Sequence, residues 1–215
     1  FSGHRRYPLG SNDPVLEEKS LELMKKCIEL AQDLGVRTIQ LAGYDVYYEE
    51  KSPQTRQRFI KNLRKACDWA EEAQVVLAIE IMDDPFINSI EKYLAVEKEI
   101  DSPYLFVYPD IGNVSAWHND VYSEFYLGHH AIAALHLKDT YAVTESSKGQ
   151  FRDVTFGQGC VKWEEAFDIL KQTNYNGPFL IEMWSENCET VEETRAAIQE
   201  AQAFLYPLIK KAGLM

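Results

Sequence analysis

The chain has 215 residues, 46% of them hydrophobic and 12% aromatic, which is enough to bury an ordinary core and suits one α/β domain. A formal net charge of -12 repels phosphodiester backbones and anionic membrane surfaces, and the longest apolar runs are strand-sized. Neither a nucleic-acid partner nor a membrane span is expected. Cys27, Cys67, Cys160 and Cys188 lie without C-x-x-C spacing, which reads as reduced thiols in packed positions. No signal region opens the chain, so a cytoplasmic location is expected.

Phe1, Ser2 and Gly3 read as the end of a strand cut within the element, followed by a polar loop to Gly10. Asp13 as N-cap and Pro14 at the first helical position predict a helix to about Leu34, with Gly35 placed to close it. Leu23, Met24, Cys27, Leu30, Ala31 and Leu34 recur along it at helical spacing. Residues 36–43 (VRTIQLAG) follow as a strand and residues 44–51 as an aromatic, acidic loop. Ser52 and Pro53 then open a second helix carrying Phe59, Ile60, Leu63, Cys67 and Ala70. Residues 75–82 (VVLAIEIM) read as a strand buried on both faces, interrupted near its end by Glu80.

The alternation continues with a short helix near 89–98, a strand at 104–110 (YLFVYPD), a helix near 119–127 and a strand at 132–139 (IAALHLKD). From there to about Val161 no periodicity is visible, and such long loops are often lids or binding loops; Gly157 and Gly159 lie in it. Trp163, Ala166, Phe167 and Leu170 mark another helix, and Gly177-Pro178 turns the chain into a strand at 179–184 (FLIEMW). Thr190 and Glu193 fit a capping box for a helix to about Lys211, with Ile198, Ala201, Leu205, Leu208 and Ile209 inward and Gly213 at its end.

Strict strand-then-helix alternation implies a parallel sheet with right-handed crossovers. Five strands and a stub fall short of the eight strands and roughly 250 residues of a closed barrel, so residues 1–215 are expected to form a single domain, the last two-thirds of a (β/α)8 TIM barrel. A doubly wound open sheet fits less well, because Glu80, Asp110, His136 and Glu182 fall at or near the C-terminal ends of four successive strands. A barrel would converge them. A buried charge needs a charged partner or a metal, and this donor set of hard oxygens and one imidazole suits a divalent cation, Mn²⁺, Mg²⁺, Co²⁺ or Zn²⁺, and excludes a soft thiolate site. Lys138 and Asp139 stand beside the set as partners of the ligands or as a strand-end ion pair. Tyr44, Tyr47, Tyr48, Trp117 and Trp184 either wall a pocket or pack beneath loops.

LAGYDVYY at 41–48, EIMD at 80–83, YPDIGN at 108–113, HLKDT at 136–140 and IEMWSE at 181–186 together resemble the sugar-phosphate 3-epimerases of the xylose-isomerase-like barrels, most of all the L-ribulose/L-xylulose 5-phosphate 3-epimerase family of ascorbate and pentose catabolism. The resemblance implies a barrel lacking its first two βα units and most of its third strand. It implies one divalent metal held by Glu80, Asp110, His136 and Glu182, with Glu80 and Glu182 as acid/base groups on opposite faces of C3. A ketopentose phosphate substrate and a homodimer are also implied. Epimerisation at C3 requires a proton to leave next to the C2 carbonyl and another to return from the other side, and a metal chelated by the C2 and C3 oxygens would stabilise the cis-enediolate between.

Related epimerases of non-phosphorylated ketoses carry a His where Asn113 stands and an Arg where Ala142 stands, and this departure favours a phosphorylated substrate. Candidates for the phosphate are Arg5, Arg6, Lys138, Arg152 and the backbone near Gly157 and Ser185, with His4 on the substrate side. Two other readings use the same residues: an aldose–ketose isomerase working through the same enediolate, and a non-catalytic sugar-phosphate-binding module. A three-zinc repair nuclease is disfavoured by only five His and the acidic balance.

Overall fold

The computed structural model describes residues 5–215, so the predicted strand stub at Phe1–Gly3 and the candidate His4 lie outside the described residues. The chain divides between Tyr108 and Pro109 into two compact units. In both, helices alternate with parallel strands.

In the first unit, helix α1 (Pro14–Leu34) starts where expected: the Asp13 side chain accepts from the Val15 N–H, Pro14 occupies the first turn, and Gly35 ends the helix at φ 68. Its buried face is Ser20, Met24, Ile28 and Ala31. Leu30 and Leu34, which share the apolar helical spacing, are 56% and 68% exposed, because at 3.6 residues per turn they lie about 80–120° round from that face. Strand β1 (Thr38–Ala42) leads to helix α2 (Pro53–Ala73), where Ser52 and Thr55 cap each other reciprocally. Phe59, Ile60, Leu63, Cys67 and Ala70 of α2 are all buried, as its spacing predicts. Strand β2 (Val76–Glu80), helix α3 (Ile90–Ile100) and strand β3 (Leu105–Tyr108) complete the unit. The sheet order is β1-β2-β3, with Ala42 opposite Glu80 and Glu80 opposite Tyr108. Leu77 through Glu80 are all buried, so β2 is covered on both faces and its terminal carboxylate is withdrawn from bulk water.

The second unit opens with a short helix α4 (Ile111–Ala116) that the periodicity does not announce, started by the Asp110 side chain accepting from the Asn113 N–H. Helix α5 (Val121–Gly128) and a 3-10 turn (His129–Ala131) precede strand β4 (Leu135–Leu137). The expected strand at 132–139 is thus trimmed at both ends, although Lys138 and Asp139 remain buried. After helix α6 (Trp163–Gln172), strand β5 (Phe179–Ile181) pairs with β4 in parallel, His136 opposite Leu180. An isolated parallel bridge joins Asp110 to His136. Helix α7 (Val191–Ala212) is capped by Thr190, but the Glu193 carboxylate accepts from the Glu189 N–H rather than closing the box on Thr190. Ala201, Leu205 and Ile209 of α7 are buried, whereas Ile198 is 42% exposed and Leu208 half-buried, contrary to the predicted stripe. No helix among the described residues is long and apolar enough to cross a membrane.

Candidate metal centre

Side chains alternate across a strand, and that period of two sorts the residues of HLKD. His136 and Lys138 share one face of β4 and its extension, while Leu137 and Asp139 point the other way. On the first face, the bridge of Asp110 to His136 and the Glu182 N–H to Leu137 carbonyl bond (3.0 Å) draw three strand ends level. Asp110, His136 and Glu182 thereby bring one ligand atom each within 4.8 Å of one another. His136 Nδ1 lies 3.3 Å from Glu182 Oε2 and 3.9 Å from Asp110 Oδ2.

Lys138 Nζ reaches into the same cluster, 2.9 Å from Asp110 Oδ2 and 3.1 Å from Glu182 Oε2. Asp110 is fully buried, and two carboxylates so close repel unless a cation sits among them. Burial pushes the Glu182 carboxyl up, but His136, Asp110 and the Lys138 charge together outweigh it and hold the carboxyl below the usual range. Glu182 is therefore ionised at neutral pH. Asp110 divides its work: Oδ1 accepts from the Asn113 N–H at 2.8 Å and starts α4, leaving Oδ2 turned toward Lys138.

Asp139, on the other face, is the residue whose role the sequence conceals. Its carboxylate is buried and accepts from the N–H groups of Thr140 (2.9 Å), Gly157 (2.8 Å), Gly159 (3.1 Å) and Val161 (3.3 Å), with Trp163 Nε1 at 3.4 Å. It closes the aperiodic 140–161 segment onto the end of β4. A Cβ at Gly159 would press against Asp139 Oδ1 and the Thr140 carbonyl, so the close approach requires glycine there. Asp139 is thus neither a partner of the ligands nor half of an ion pair with Lys138. The spaced glycines after an acidic strand end are the one trace of this in the sequence.

A cavity of about 440 Å³ opens in the second unit, walled by Lys138, Glu182, Trp184, Val154, Phe156 and Phe204. Trp184 lies under two cations, with Lys138 Nζ 5.2 Å and Arg152 Cζ 4.9 Å from its ring centroid. Gly157, a candidate for the substrate, already gives its N–H to Asp139, and Ser185 is exposed in the turn after β5.

In the first unit, Glu80 ends β2 with 6% of its surface exposed and accepts from Gln40 Nε2 at 2.6 Å. The loop after β1 buries Tyr44, whose hydroxyl donates to Asp83 and accepts from Arg5 at 3.2 Å. Arg5 also stacks 4.7 Å from the centroid of Tyr47, while Arg6 is exposed.

The family described as xylose isomerase-like TIM barrel matches residues 1–208. A Haemophilus influenzae protein provisionally named as an L-ribulose-5-phosphate 3-epimerase is 51% identical over 215 residues, spanning 100% of this chain and 74% of that protein. An L-ribulose-5-phosphate 3-epimerase of Escherichia coli O157:H7 is 47% identical over the same 215 residues, 72% of its own length. Among solved structures, that of an L-ribulose 3-epimerase superposes with a TM-score of 0.75 at 19% identity, covering 95% of this chain and 71% of the other. At that identity the superposition speaks for the fold.

Proposed function

The chain belongs to the xylose isomerase-like TIM barrel family and is a carbohydrate epimerase, an isomerase, and we propose that it inverts C3 of a ketopentose phosphate, interconverting L-xylulose 5-phosphate and L-ribulose 5-phosphate. The observation that carries this reading is the convergence of Asp110, His136 and Glu182 at neighbouring strand ends, a negatively charged donor set that draws in a cation even from its own chain, Lys138. That set fits a divalent metal. Asp110, His136 and Glu182 would hold it, with Glu80, the buried carboxylate ending β2, as the fourth ligand and Zn²⁺ or Mn²⁺ as the ion. When bound, the ion supplies Lewis-acid polarisation of the C2 carbonyl, which acidifies the proton on C3.

The residues divide the proton transfer between two faces. One carboxylate, Glu80 or Glu182, takes the C3 proton, and the electron pair of the broken C–H bond moves into the C2–C3 bond to give the enediolate. The other, as its acid, returns a proton to the opposite face of C3. The roles exchange in the reverse direction, so no net proton or electron is consumed. His136, Asp110 and Lys138 outweigh the burial of Glu182 and hold it in the ionised form that a base requires. The four free cysteines accord with a reducing cytoplasm. A homodimer completes the reading, tested by light scattering.

The test is proton NMR of the protein with L-xylulose 5-phosphate in D₂O, with and without Mn²⁺ or Zn²⁺ and with a chelated control. Metal-dependent loss of the C3 proton and growth of L-ribulose 5-phosphate are expected. Glu80→Gln and Glu182→Gln should each stop epimerisation, while deuterium exchange from one face can persist. Exchange at C1 with aldose formation would replace this reading with an aldose–ketose isomerase, and binding without exchange would replace it with a binding module.

A further inference from the structure

We propose that Arg152 is the specificity-determining residue that reads the phosphomonoester of the substrate, a proposal that rests on the epimerase reading above. A chain with a net charge of -12 repels a dianionic sugar phosphate, so binding one requires a local cation not already neutralised. Lys138 does not qualify, because Asp110 and Glu182 hold it. Arg152 does. It is half-buried, its guanidinium stacks on Trp184, and no carboxylate among the described residues forms an ion pair with it. By contrast, Arg56 is paired with Glu99.

Its position follows from a chain of contacts. Glu182 and Asp110 touch Lys138, Lys138 faces the Trp184 ring, and the same ring carries Arg152. The Trp184 indole is therefore shared by Lys138, which touches the carboxylate cluster where C3 would react, and by an uncommitted guanidinium, and that indole walls the cavity that Lys138 and Glu182 line. A guanidinium stacked on an aromatic face keeps its planar fork of donors free for two phosphate oxygens. Asp153 lines the same cavity, but it is exposed and screened by solvent.

The segment that presents Arg152 is held on both sides. Upstream, Gln150 pairs with Tyr141 through both backbone hydrogen bonds, and the Phe151 ring packs 5.9 Å from that of Trp117. The Gln150 side chain donates to the Arg152 carbonyl at 2.8 Å. Downstream, Asp139 collects the N–H groups of Gly157, Gly159 and Val161. The cation is thus built into place.

The experiment compares kcat/KM for L-ribulose 5-phosphate and for unphosphorylated L-ribulose in the wild type, Arg152→Met and Arg152→Lys, with inorganic phosphate as a competitive inhibitor. In Arg152→Met the selectivity ratio for the phosphorylated sugar should fall about 10- to 100-fold, chiefly through KM, with a parallel rise in the inhibition constant of phosphate. Arg152→Lys should restore part of both. An unchanged ratio, or an equal fall for both sugars with unchanged phosphate inhibition, overturns the assignment while leaving the epimerase reading intact. A wild type that turns over neither sugar sinks the epimerase reading and this one with it.

Discussion

Replacing Asp139 by Asn tests whether one buried carboxylate holds the 140–161 segment. Oδ2 accepts from Gly157 and Gly159 at 2.8 and 3.1 Å with Trp163 Nε1 at 3.4 Å, while Oδ1 accepts from Thr140 and Val161 at 2.9 and 3.3 Å. An asparagine has one acceptor oxygen, so whichever way the amide turns, its NH2 opposes at least two N–H donors and the negative charge is gone. Hydrogen bonds to a charged group contribute about 1.5–3 kcal/mol each. Two are lost, and the glycine amides are only part-buried and can recover some hydration, so the expected cost is about 2–4 kcal/mol. For a chain of this length that is a fall of roughly 5–15 °C in Tm. Urea unfolding would measure the loss, and amide hydrogen exchange would localise it to Gly157, Gly159 and Val161. A change below about 0.5 kcal/mol with those amides still protected would refute the idea that Asp139 is the anchor.

Burial pushes the Cys67 thiol up to about 12, so native protein at pH 8 should leave Cys67 unlabelled by a thiol reagent that modifies it in urea. Because the folded state holds this proton more tightly, the associated stability is complete below the ordinary thiol value of 9.0 and is lost as pH rises toward about 12. Cys67→Ala should remove that part of the alkaline dependence, seen by comparing urea midpoints of the two proteins at pH 8 and pH 10.5. Mn²⁺ at one hundred times its dissociation constant should stabilise the protein by about 2.7 kcal/mol. Calorimetry would detect this as a rise in Tm reversed by a chelator, and an equal rise in His136→Ala would place the ion elsewhere.

How much was legible depended on how local the signal was. Asp13, Pro14 and Gly35 announce both ends of α1 because a cap is decided within a few residues, and Ser52-Pro53 announces the start of α2, whose end at Gln74 carries no such signal. The strand-end polar residues were visible for a related reason: a carboxylate at the end of an apolar run has few explanations. Helix α4 was hidden, since six residues of IGNVSA carry too little periodicity and its cap, Asp110, already had a role as a candidate ligand. The stripe on α7 was drawn one turn too far toward its start, where Ile198 faces solvent, because hydrophobicity alone does not say where a helix leaves its neighbour. The duty of Asp139 was hard to read, because beyond the adjacent Thr140 its partners lie 18 to 24 residues downstream and, Trp163 Nε1 excepted, are backbone N–H groups, of which only the glycines leave a trace in the sequence.

Asp110 joins helix formation to ligand geometry. With Oδ1 committed to the first turn of α4, the rotamer freedom of the side chain is surrendered on folding, before any ion arrives, and Oδ2 faces Lys138 in one direction only. That entropy need not be lost a second time on binding, so the chain that builds the helix also preorganises the ligand. Glutamate would keep the charge, but its longer and looser arm could not serve cap and site together. The constraint at this position is therefore one of shape as much as of charge.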